Sequence, residues 1–155
     1  DRSARIEAER AFRQGIEMLE RSALGGAQKA FALACERNGE EPEYHMFEAW
    51  TQVLSAKDEE ARVAARAQTT EWARRVVEND RDALRAHTIL GQLGAAAGEL
   101  DGAERHFRYA LRVAPADRDA LRGMRLVERR RNEQTAPAKP AKAAKAAKSP
   151  KPKGR

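Results

Sequence analysis

An all-α fold is what this 155-residue chain predicts, on three observations. Apolar residues recur every three to four positions through most of its length. Ala, Leu, Glu and Arg are abundant while aromatics make up only 5%, the composition of packed helices. Of six prolines only Pro42 and Pro115 precede residue 135, and both fall between helical patterns. No stretch alternates apolar and polar residues with β-branched enrichment, so no strand is needed. The length suits one ordinary domain with a real core.

Seven helices follow in order. The first covers about residues 4–21, with Phe12, Ile16 and Leu19 on one stripe. A break at "SALGG" separates it from a second, about 25–37, which carries Phe31 and Ala34 inward and ends at Gly39. The third, about 42–56, starts with Pro42, acceptable in a first turn. The fourth lies within 60–78. "NDRDA" divides it from the fifth, about 83–97, which Gly98 ends. The sixth spans 101–113 and stops near Pro115; the seventh, about 118–132, grows steadily more basic. Such helices with short links make a chain of hairpins.

Beyond residue 133 the composition changes. The last 21 residues hold six Lys and one Arg and no acid, and four of the six prolines. Subtracting those seven charges from the 30 Lys and Arg leaves 23 against 24 acids, so the folded part is nearly neutral and the net charge of +6 belongs to the tail. With little to bury, 134–155 is expected to be a disordered Lys/Ala/Pro-rich tail, apart from a helical domain at 1–133. No apolar run approaches the roughly 18 residues that span a bilayer. The start at Asp1 rather than Met suggests an excised fragment. The single cysteine, Cys35, excludes an intrachain disulfide, favours a reducing, cytoplasmic setting, and reads as a buried inert thiol.

Two phrases, "ALGGAQKAFALACERNG" and "ELDGAERHFRYALRVAP", nearly repeat at an offset of 76. Leu24 meets Leu100, Gly26 meets Gly102, Ala27 meets Ala103, Phe31 meets Phe107 and Ala34 meets Ala110; upstream, Gly15 meets Gly91. Small residues at fixed helical positions beside one aromatic describe a packing seam. The pattern resembles the 34-residue tetratricopeptide repeat (TPR). In 84–117, Leu90, Gly91, Ala103, Phe107, Ala110 and Pro115 match it; in 8–41, Gly15, Ala27, Phe31 and Ala34 do, with Gly39 in place of the proline. The segment between, 42–83, is one repeat plus eight residues and keeps Ala49. Its extra length is expected at "SAKDEEAR", in the turn or the fourth helix. The resemblance implies a right-handed α-solenoid of about three TPR helix hairpins, with 118–132 as a C-terminal capping helix. A fainter resemblance, in "EAERAFRQGIEMLE" and "MRLVERRR" among others, is to TPR segments appended to J domains or signalling domains of bacterial proteins, which implies a co-chaperone or signalling module upstream.

In TPR proteins the first helix of each hairpin lines a concave groove that binds partner proteins. By position, the resemblance places Glu9, Phe12, Arg13 and Ile16 there from the first unit, Glu43, Met46, Phe47 and Trp50 from the second, and Arg85, Thr88, Ile89 and Gln92 from the third. Phe12, Ile16, Met46 and Trp50 occupy positions where the clamp for acidic chaperone tails uses Lys and Asn, so such a tail is not the expected ligand. An amphipathic helix or an extended apolar peptide suits these side chains better. Trp50, Met46 and Phe47 also suit a core, so both roles stand open.

Motifs of catalysis or cofactor binding are missing: no HExxH, no phosphate loop, no recognisable Ser-His-Asp frame. "GQLGAAAG" lies in a helix with no strand before it, the wrong context for a dinucleotide site. His45 and His87 take positions of large apolar residues and are expected to pack, whereas His106 is expected to face solvent. The reading is therefore a non-enzymatic protein-binding adaptor without cofactor or metal. The alternative is a polyanion contact through Lys139, Lys142, Lys145, Lys148, Lys151 and Lys153, a spacing that resembles linker-histone tails. Neutralising about six phosphates would give salt-sensitive, sequence-independent nucleic-acid binding.

Overall fold

The computed structural model of the chain describes residues 1–137. Among them are seven helices and no strand: α1 (Arg2–Glu20), α2 (Leu24–Arg37), α3 (Pro42–Ser55), α4 (Glu59–Asn79), α5 (Leu84–Ala96), α6 (Leu100–Val113) and α7 (Arg118–Thr135). Carboxylates start four of them: Asp1, Glu41, Asp58 and Asp117 each accept a hydrogen bond from a backbone N–H of the first turn. Pro42 takes the opening turn of α3, where its missing N–H costs nothing. Helix α7 runs to Thr135, past the expected domain end at 133, because "NEQT" contains no breaker before Pro137. The remaining tail positions lie outside the described residues.

The turn from α1 to α2 and the turn from α5 to α6 are copies at the same offset of 76. Ala23 N–H reaches back to the Met18 carbonyl at 2.8 Å and Glu99 N–H to the Gly94 carbonyl at 2.9 Å, the six-residue closure of a helix end. The residue before each is left-handed: Ser22 at φ +60° and Gly98 at +78°. Glycine adopts that conformation without penalty, whereas serine brings a crowded Cβ.

Consecutive helices pack as antiparallel hairpins, α1 on α2, α3 on α4 and α5 on α6, and each hairpin packs on the next. The eight surplus residues of the middle unit fall inside helices, because the turn before α4 has the same three residues as its counterparts. Helix α3 is one residue longer than α5, and α4 seven longer than α6. The surplus therefore adds about two turns to α4.

The seam that the repeat encodes is visible as paired glycines and rings. A Cβ on Gly15 would come within 2.5 Å of the Phe31 ring, and one on Gly91 within 2.5 Å of the Phe107 ring. Both rings are fully buried, as are Ala27, Ala34, Ala103 and Ala110 around them. Phe31 then stacks on Phe47 of the next unit, ring centroids 5.3 Å apart. Gly123 of α7 also approaches Phe107, and any Cβ there would collide with the ring. Pro115, which the resemblance groups with the packing residues of the repeat, takes no part in this packing. It is exposed in the link after Val113, and its contribution is to stop α6.

Candidate partner-binding cleft

Among the described residues a cleft of about 1010 Å³ crosses the first helices of the hairpins obliquely. It takes Ile16, Leu19 and Glu20 from the C-terminal end of α1, and Phe47, Trp50 and Leu54 from the later part of α3. Leu84, Arg85, Thr88, Ile89 and Gln92 come from the start of α5, and Asp117, Arg118, Asp119 and Arg122 from the entry to α7. The floor is apolar. Ile16, Leu19, Trp50 and Leu84 are half-buried, and Leu54 is 45% exposed.

Of the residues placed in a groove by sequence, Ile16, Phe47, Trp50, Arg85, Thr88, Ile89 and Gln92 line this cleft. Glu9, Phe12, Arg13, Glu43 and Met46 do not. The diagonal course explains the first three, which sit on the earlier turns of α1, before the cleft begins. Glu9 and Arg13 pair with each other at 3.1 Å on an exposed surface. Phe12 is buried against Tyr44, centroids 4.8 Å apart, and against Phe47 at 5.5 Å. Met46 is fully buried in the same core. At about 100° per residue, Phe47, Trp50 and Leu54 share a sector roughly 60° wide and Met46 lies about 40° outside it. Trp50 belongs to both environments: it packs against the core and borders the cleft.

The charges of the rim are tied down unevenly. Arg85 bridges from α5 to Glu43 of α3 at 3.3 Å and lies over the Phe12 ring. Burial pushes the Glu43 carboxyl above its usual range, and Arg85 draws it part of the way back. Asp117 is spent on the α7 N-terminus. Arg118 and Arg122 form no ion pair among the described residues and stand at the far end of the apolar floor. Sequence reasoning missed Leu19, Leu54, Leu84 and the α7 residues as cleft components. The apolar stripe of α1 already carried Leu19; the contribution of α7 required knowing how far the stack curves.

Histidines hold the links between hairpins. His45 Nε2 donates to the Gly39 carbonyl at 2.8 Å and His87 Nε2 to the Arg81 carbonyl at 2.7 Å, two loop ties of the same span. Each ring stacks on the second helix of its own hairpin, His45 on Trp72 and His87 on Tyr109. His106 is half-buried rather than facing solvent, because α6 turns it onto His87 with the two Nδ1 atoms 3.2 Å apart. Since His87 Nε2 carries its proton to a carbonyl, His87 Nδ1 accepts and His106 Nδ1–H donates. Burial and the neighbouring His87, Arg105 and Arg74 lower the His106 pKa.

Among the described residues no helix is long and apolar enough to cross a membrane. Lys139, Lys142, Lys145, Lys148, Lys151 and Lys153, the expected polyanion contacts, lie outside the described residues. Hairpins of this kind, the first and third closed by glycine–phenylalanine seams and all stacked along an oblique cleft, define a helical solenoid of the TPR type. Solved structures with the same fold include the TPR domain of Arabidopsis OM64, at TM-score 0.60 and 15% identity, covering 82% of this chain and 98% of that one. Another is the Sgt2 TPR domain from Aspergillus fumigatus, at TM-score 0.60 and 17% identity, covering 91% of this chain and 92% of that one. No family model matches the chain, and no curated protein does.

Proposed function

We propose that this chain is a non-catalytic module that binds another protein in the oblique cleft, taking an amphipathic helix or an extended apolar peptide. The observation that carries the reading is the row Ile16, Leu19, Trp50 and Leu54, left partly open to solvent along one continuous floor. An amphipathic partner would bury its apolar face there and set an acidic group near Arg118 and Arg122. The TPR domains of OM64 and Sgt2 share the fold, which supports a role in binding proteins.

Peptides selected by display on the immobilised full chain provide the test, with affinity read by fluorescence anisotropy. Leu54→Glu places a charge on the floor from a side chain that is already 45% exposed, so it should weaken binding at least about tenfold while melting stays nearly unchanged. Val63→Glu, on the equally exposed early turns of α4, should leave binding intact. Peptides whose affinity ignores Leu54→Glu would place recognition elsewhere.

A further inference from the structure

Where α2 meets α3, three metal-ligating side chains converge that the cleft does not use. Cys35 projects from α2, and His45 and Glu48, three residues apart, from one face of α3. All three are half-buried, and their ligand atoms lie within 4.8 Å of one another. His45 Nδ1 stands 3.9 Å from Glu48 Oε2, too far for a hydrogen bond. Because Nε2 donates to the Gly39 carbonyl, which can only accept, the lone pair of the neutral ring is on Nδ1, the nitrogen on the Glu48 side. The ring cannot easily turn away, since it stacks on Trp72 with centroids 4.3 Å apart and planes 15° from parallel.

We propose that Cys35, His45 and Glu48 bind a divalent zinc ion through Sγ, Nδ1 and one carboxylate oxygen, with water in the fourth position. Tetrahedral zinc sets its ligand atoms about 3.3–3.8 Å apart, given bonds of about 2.0–2.3 Å. From 3.9 Å the Nδ1–Oε2 pair closes by about 0.5 Å, and the sulfur, about 3.5 Å from either in such a site, closes by up to about 1.3 Å through side-chain rotation. A thiolate with an imidazole selects zinc over magnesium or calcium, which take oxygen ligands. The tie from Nε2 to a backbone carbonyl is the outer-shell contact that orients a metal-binding histidine. Without metal, burial and the adjacent Glu48 carboxylate push the Cys35 thiol up to about 12, so it is held as S–H. On binding, the S–H bond breaks, a sulfur–zinc bond forms, and the proton passes to solvent. The ion would fasten the first hairpin to the second, independently of the cleft.

The full chain, stripped with chelator, is titrated with Co²⁺ as a spectroscopic probe and with Zn²⁺ by calorimetry. One Co²⁺ per chain should bind with a near-ultraviolet thiolate charge-transfer band. Cys35→Ser should abolish that band, and both Cys35→Ser and Glu48→Gln should weaken Zn²⁺ at least about tenfold. Zn²⁺ should raise the Tm of the unmodified chain and not that of Cys35→Ser. Circular dichroism of Cys35→Ser and Cys35→Ala establishes that the helices persist. A chain that shows no charge-transfer band overturns the assignment. So does zinc affinity that survives Cys35→Ser but is lost in His106→Gln, which would put the ion at the His87–His106 pair.

Discussion

Replacing Gly91 by alanine tests the seam most directly, because two opposing effects can be weighed. In the interior of α5 the alanine gains about 1 kcal/mol of helix propensity. The added methyl carbon, however, would stand 2.5 Å from the Phe107 ring. That ring is fully buried and already lies in close contact with Gly123 of α7, which limits how far it can shift. Overpacking of this kind costs about 1–3 kcal/mol, and a fully buried ring already pressed by a second helix puts the cost near the upper end. The net expectation is a loss of about 2 kcal/mol, or about 6 °C in Tm at roughly 3 °C per kcal/mol. Gly102→Ala is the control: it sits in α6 with its nearest neighbour, the Arg105 guanidinium, 3.8 Å away, and should stabilise by up to about 1 kcal/mol. Urea unfolding followed by circular dichroism and by tryptophan fluorescence should separate the two by about 3 kcal/mol. In a Phe107→Leu background the penalty at Gly91 should shrink, with a coupling of about 1–2 kcal/mol. If Gly91→Ala stabilises as Gly102→Ala does, the ring is not clamped and the account of the seam is wrong.

Ser22→Gly should stabilise by roughly 0.5–1 kcal/mol in the same urea assay. The left-handed penalty of about 1–2 kcal/mol at φ +60° disappears and outweighs the extra freedom glycine brings to the unfolded chain; a loss of stability would contradict the strain. Protonation supplies the other prediction. The His106 pKa is lowered on folding, so the unfolded chain takes up the proton first, and the corresponding stability is present above about pH 6.5 and lost as pH falls toward the folded value. Urea midpoints of the unmodified chain should therefore drop between pH 7.5 and 5.5, and His106→Gln should make that slope shallower; an unchanged slope would remove His106 as its source.

What the sequence made legible was whatever one hairpin decides by itself. Gly15 and Phe31, or Gly91 and Phe107, are sixteen residues apart and meet within two adjacent helices, so their spacing alone reveals the contact. The boundary between core and cleft was not of that kind. Met46 and Trp50 are one turn apart on α3, yet one is fully buried and the other borders the cleft, because the angle at which the next hairpin crosses decides it. The inward turn of His106 depends on His87 of the preceding helix. The grouping of Cys35 with His45 and Glu48 was likewise invisible, since it joins two hairpins across a link that sequence spacing does not describe.

The cleft draws one wall from α1 and the other from α7, the two ends of the stack. Its aperture is thus the sum of small rotations between neighbouring hairpins, in the way a solenoid's curvature accumulates. An occupant touching Ile16 and Arg122 together would act as a strut, resisting both opening and closing of the arc. By the same linkage, a change at a seam beneath the floor, such as the one at Phe31, would reach an occupant it never touches by altering how wide the arc stands.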